Sequence, residues 1–133
     1  MKKGQIGVEY MIIVGFVTLA IATVLVLAVY YSDQLEDRIR LNQVENFATQ
    51  LVNSAESVFF SGEPSKTTVR LYLPDGVQGI GINSDDIIIN VAVSSGQNIR
   101  AYHSRVPLQG SITPTQGTKK ITLQATEDHV QIS

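Results

Sequence analysis

Hydrophobic positions along the chain change period twice, and the changes divide it into three stretches. From Ile6 to Ser32 the sequence is apolar on every side of a helical wheel, with Glu9 its single charge. Tyr10–Ser32 carries no charge at all. A helix of that length covers about 34 Å at ~1.5 Å per residue, enough for the hydrocarbon core of a bilayer, ~30 Å thick. An all-round apolar helix is not the amphipathic helix of a water-soluble domain. Lys2 and Lys3 precede the stretch. Their charge predicts an N-terminus on the cytoplasmic side with the rest of the chain outside, and Tyr30 and Tyr31 stand where interfacial aromatics are expected.

Asp33 begins an amphipathic pattern that runs to Phe60. Leu35, Ile39, Val44, Phe47, Ala48, Leu51, Val52, Ala55, Val58 and Phe59 recur at spacings of three and four and predict one packed stripe. Asp37, Arg38, Arg40, Gln43, Glu45, Asn46, Gln50 and Glu56 are expected mostly off it. No proline precedes Pro64, and no glycine falls between Gly15 and Gly62. One unbroken helix is therefore predicted from Ile6 to Phe60, on the order of 80 Å long at 1.5 Å per residue. Gly62 is expected as its left-handed cap and Pro64 as its stop.

From Lys66 the period is two. Predicted strands are Thr67–Leu73, Val77–Ile82, Ile87–Val93, Ile99–Val106, Lys120–Ala125 and His129–Ile132, with Ile112–Gln116 a weak seventh. Turns are expected at Pro74-Asp75-Gly76, Asn83-Ser84-Asp85-Asp86, Ser94 to Asn98 and Thr126-Glu127-Asp128. Ile87–Val93 is the most apolar strand and is expected in the middle of its sheet. Gly79 and Gly81 are expected at a bulge or a close backbone approach. The predicted fold class is α+β: a long N-terminal helix with a C-terminal antiparallel β-sheet or sandwich head packed on its outer half. A head of about 70 residues is marginal alone, so the amphipathic helix face supplies part of its core.

The ten residues at the start narrow the reading. Lys2-Lys3-Gly4-Gln5-Ile6-Gly7-Val8-Glu9-Tyr10 resembles the class III signal of archaeal type IV pilins. Members of that family carry a short basic leader ending in glycine. A Gln-x-(Ser/Gly)-x-Glu-Tyr block and a long apolar helix follow. The resemblance implies cleavage between Gly4 and Gln5 by a prepilin peptidase, with the apolar helix retained and Glu9 as the fifth residue of the mature chain. It implies that Gln5, Glu9 and Tyr10 serve assembly. It also implies a lollipop shape and an organisation into a leader (1–4), an apolar transmembrane and filament-core helix (5–32), its amphipathic continuation (33–62) and a β-rich extracellular head (63–133). The implied partners are copies of the chain in a helical filament, the peptidase, an assembly ATPase and a membrane platform. The implied life history is a membrane-bound precursor that becomes a cell-surface filament for adhesion. The family's bacterial members often carry a proline in the apolar half, and this chain has none there.

Two other readings of the first stretch fit fewer residues. A cleaved secretory signal has a shorter apolar core and a small-residue cleavage site, and Ala-x-Ala is absent at the end of this one. A plain single-span anchor, or a minor pilin that does not polymerise, is the alternative function. The plain anchor leaves Glu9 unexplained, because a carboxylate near the start of a lone spanning helix costs energy without return.

Composition adds exclusions. Formal net charge is −2 and the basic residues form no stripe, which argues against nucleic acid. There is no cysteine, hence no disulfide or thiol chemistry. His103 and His129 have no metal-type partner at helical or strand spacing, so neither is expected as a ligand. Asn83, Asp85 and Asp86 lack the spacing of a calcium loop. Ser104 beside His103 is not a catalytic pair, since adjacent strand residues point to opposite faces. Gly79-Ile80-Gly81 opens no helix and is not a phosphate loop. No Asn-x-Ser/Thr site occurs; Ser111, Thr113, Thr115 and Thr118 are read as an ordinary exposed loop. These residues predict neither an enzyme nor a cofactor.

Overall fold

The computed structural model describes residues 2–133, with side chains from Gly4 onward. Met1 and the Lys2 and Lys3 side chains of the predicted leader lie outside the described residues. The fold is α+β: helix α1 (Lys2–Ser61) is followed by strands β1 (Lys66–Leu73), β2 (Val77–Ile82), β3 (Asp86–Val93), β4 (Gly96–His103), β5 (Leu108–Gly110), β6 (Gly117–Ala125) and β7 (Val130–Ile132). The helix begins before the predicted Ile6 and runs through Gly4 and Gln5. It ends as expected: Gly62 takes φ 85°, and its N–H donates to the Phe59 carbonyl at 3.1 Å.

The chain divides into two compact units, residues 1–36 and 37–133. The described residues of the first, from Lys2 on, are helix alone. The second holds the rest of α1 and two sheets, one of order β1-β6-β7-β5 and one of order β2-β3-β4. β3 is the middle strand of the smaller sheet, as its apolar run predicts. Side chains of α1 and both sheets share one core, including Val44, Phe47, Leu51 and Val58 from the helix with Leu73, Ile89, Leu123 and Ile132 from strands. A bulge separates Val77 from Gly79 in β2, as the glycines there suggest.

Several expectations need correction. Leu35 and Ile39, placed on the packed stripe, are each 56% exposed. The rest of the predicted stripe, from Val44 to Phe59, does pack inward and is joined by Leu41, which the prediction omits; Asp37 and Arg40, expected off the stripe, continue it toward the N-terminus. Leu35 and Ile39 belong to the opposite face: the step from Ile39 to Val44 is five residues, which breaks the run of threes and fours and turns the row away. β4 starts at Gly96 rather than Ile99, because Val93 pairs directly with Gly96 across a two-residue turn, Ser94-Ser95. Gly96 accepts the required φ of 134°. The predicted strand at Ile112–Gln116 does not form. The short β5 lies just before it and pairs parallel with β7, so the larger sheet is mixed.

Candidate functional site

The first unit presents its apolar side chains outward. Phe16 is 72% exposed, and Ile6, Met11, Ile13, Leu19, Leu25 and Val29 are exposed as well. Fully burying side chains of this size stabilises by about 1.5–3 kcal/mol each, so such a surface requires lipid or protein around it. Its two threonines satisfy their hydroxyls within the helix: Thr18 Oγ1 donates to the Val14 carbonyl at 2.7 Å and Thr23 Oγ1 to that of Leu19 at 2.9 Å. No polar side chain between Tyr10 and Tyr30 is thus left for lipid to solvate. Tyr30 and Tyr31 meet edge to face with centroids 6.1 Å apart. The helix is long and apolar enough to cross a membrane, which fits a membrane anchor.

The predicted site residues fall on this helix. Gly4 and Gln5 lie in its opening turns, and a Cβ at Gly4 or Gly7 would meet nothing within 4 Å. Glu9 and Tyr10 are exposed. Glu9 makes no ion pair among the described residues. Among the described residues, Gln5, Glu9 and Tyr10 therefore stand exposed on the helix surface.

The second unit contains a polar clamp that spacing did not reveal. Arg40 donates from a terminal guanidinium nitrogen to the Ala92 carbonyl at 3.1 Å and from Nε to Asp75 at 3.4 Å. Asp37 accepts from the Ser94 N–H at 3.2 Å and from the Ser94 hydroxyl, and lies 3.6 Å from Arg40. The two residues therefore tie the helix to the β1–β2 and β3–β4 turns. The signal available was the i,i+3 Asp–Arg spacing, which marks exposed pairs just as often. Further along, Glu45 faces Arg100 at 3.9 Å, and Glu56 accepts the Arg105 N–H at 3.2 Å.

The polar groups of the strands form no reacting constellation. His103 meets Asp86 at 3.1 Å on the surface, while Ser104 is buried and donates to the Val106 carbonyl at 2.9 Å. His129 and Thr126 close the β6–β7 turn. Among the described residues no group of three or more His, Asp or Glu is arranged to hold a metal. An open groove of about 580 Å³ runs between α1 and β4, lined by Thr49, Asn53, Glu56, Tyr102, His103 and Arg105. Among the described residues the buried Tyr102 hydroxyl has no hydrogen-bond partner of good geometry, although the Arg100 guanidinium lies close to it. Burial raises its pKa above the usual 10.0, against the pull of the neighbouring Arg100 guanidinium.

The chain matches no family model, no curated protein and no solved structure.

Proposed function

We propose that the chain is the structural subunit of an archaeal type IV-like pilus, inserted in the membrane as a precursor, cut after Gly4 and polymerised through its helix into a surface filament used for adhesion. One observation carries this reading: an all-round exposed apolar helix with a carboxylate, Glu9, in its opening turns. Lipid satisfies the apolar surface but not Glu9. A bundle of identical helices satisfies both, because each copy brings an apolar surface and, once cut, a free amino group at Gln5. Burying the apolar side chains against copies outside the membrane replaces contact with water, the dominant favourable term in association. The folded β-unit then coats the assembly. Copies of the chain, a prepilin peptidase, an assembly ATPase and a membrane platform are the partners this requires.

Intact mass and N-terminal sequencing of sheared cell-surface material, with electron microscopy of the same sample, test the proposal. The expected result is filaments whose subunit begins at Gln5. A subunit retaining Met1, or material without filaments, would overturn it.

A further inference from the structure

Past Arg38, which is exposed one turn before Asn42, the water-facing side of the second unit's helix is almost free of charge. Asn42, Asn46, Thr49, Gln50, Asn53 and Ser57 are exposed along it. Ile39 and Phe60, the latter 72% exposed, close its two ends. Between Ile39 and Ser61 the single charged residue at an exposed position is Glu45, and it faces Arg100. Elsewhere in this unit exposed charges are ordinary, as at Arg70, Asp75, Lys120 and Glu127. A helix facing bulk water usually carries lysine, arginine and glutamate there, which solvate well and favour the helix. Asparagine, threonine and serine favour it less, so the stripe weakens the helix locally without gaining solubility.

We infer that this stripe is a helix-to-helix interface with a second copy of the chain, an inference that rests on the self-assembly reading. The chemistry selects the occupant. Carboxamides and hydroxyls both donate and accept, so a stripe of them can pair with an identical stripe. A charge repeated on every copy would meet its like or be buried unpaired, and the stripe leaves none exposed but the partnered Glu45. Lipid would leave the amides unsatisfied. A partner of opposite charge would find nothing here to recognise. The stripe also belongs to the same helix whose apolar segment the proposed assembly buries. Copy-to-copy contact thus extends past the apolar segment onto the polar half, where amides set register that an apolar surface leaves free.

The chain has no cysteine, so Asn46→Cys, Asn53→Cys and Glu127→Cys each introduce one thiol at an exposed position. Maleimide labelling of each full-length variant is compared between sedimented assemblies and detergent-dispersed monomer. The thiols at 46 and 53 should react more slowly in the assembly by about tenfold or more, since a covered thiol reacts only through local opening. The thiol at 127 should not change. Assemblies in which 46 and 53 react at the monomer rate would overturn the interface while leaving self-assembly standing. Equal slowing at all three positions, or protection that persists in the dispersed monomer, would overturn it too. A chain that stays monomeric when detergent is removed would defeat the self-assembly reading and the interface with it.

Discussion

Arg40 of α1 reaches the backbone carbonyl of Ala92, 52 residues later, at 3.1 Å. Its side chain is 19% exposed, and the same guanidinium serves Asp75 and Asp37. A charge-assisted hydrogen bond contributes more than a neutral one, and losing it leaves partners unsatisfied. Arg40→Ala should therefore destabilise the second unit by about 2 kcal/mol. Arg40→Lys should recover only part, because a point charge cannot serve three acceptors with a planar fork. Thermal unfolding of the full chain in detergent reads both. An unchanged midpoint for Arg40→Ala would reduce the clamp to a surface ion pair.

Much of the fold is legible in the sequence, and the failures have local causes. The apolar stretch, the helix stop at Gly62 and the apolar run of Ile87–Val93 each dominate their own neighbourhood. The helix stripe fails at Leu35 and Ile39 because the five-residue step from Ile39 to Val44 moves the row to another face, and the pattern of threes and fours passes over that step. Gly96, Gln97 and Asn98 read as turn because they are polar, yet they open an edge strand whose outward face needs no apolar residue. β5 was invisible: Leu108-Gln109-Gly110 is too short for a period, and its partner β7 is distant in sequence. Of the site, the Gln-x-Gly-x-Glu-Tyr block and the apolar helix are visible as residues. The charge-poor stripe emerges only once burial shows which positions face outward.

Gly110 and Gly79 test the sheet geometry as a pair. Gly110 has φ 134°, and a Cβ there would overlap the Ile132 carbonyl across the β5–β7 pairing. Gly79 has nothing within 4 Å of the same position. Gly110→Ala should cost at least ~2 kcal/mol from left-handed strain and displacement of β7. Gly79→Ala should stay within about 1 kcal/mol of the parent, since strand propensity offsets any crowding. Chemical denaturation of the two variants in parallel decides it; equal effects would mean that the β5–β7 pairing is misplaced.

Tyr102 makes a prediction at alkaline pH. Its folded-state pKa lies above 10.0 because burial disfavours the phenolate. The folded chain therefore holds this proton at pH values where the unfolded chain releases it. The stabilisation is intact below pH ~10, the unfolded value, and is lost as pH rises through the higher folded value. Tyr102→Phe should flatten that part of the stability profile, and removing an unpartnered hydroxyl should leave neutral-pH stability unchanged or higher. A variant with the parent's alkaline profile would place the effect elsewhere.

Under the proposed function, Glu9 would tie processing to assembly. In the described chain α1 has no acidic residue in its first turn. Cleavage after Gly4 would remove the helix start and bring Glu9 about one turn from the new one. There the helix dipole favours a carboxylate by a few tenths to ~1 kcal/mol. Burying that carboxylate in a dry bundle of helices costs several kcal/mol, so the dipole alone is insufficient. The group that can close the gap is the α-amino group of Gln5 on a neighbouring copy. It would not exist until the Gly4–Gln5 bond is cut, so under that reading cleavage would be the switch for pairing. The pair would also fix axial register. Glu9→Gln should remain helical, inserted and cleaved, yet yield few filaments. Mass spectrometry of the membrane fraction gives the processed share, and electron microscopy gives the filament yield. Normal filaments from Glu9→Gln cells would leave the residue only a role at its own helix end. Loss of both cleavage and filaments would instead make Glu9 part of what the peptidase reads.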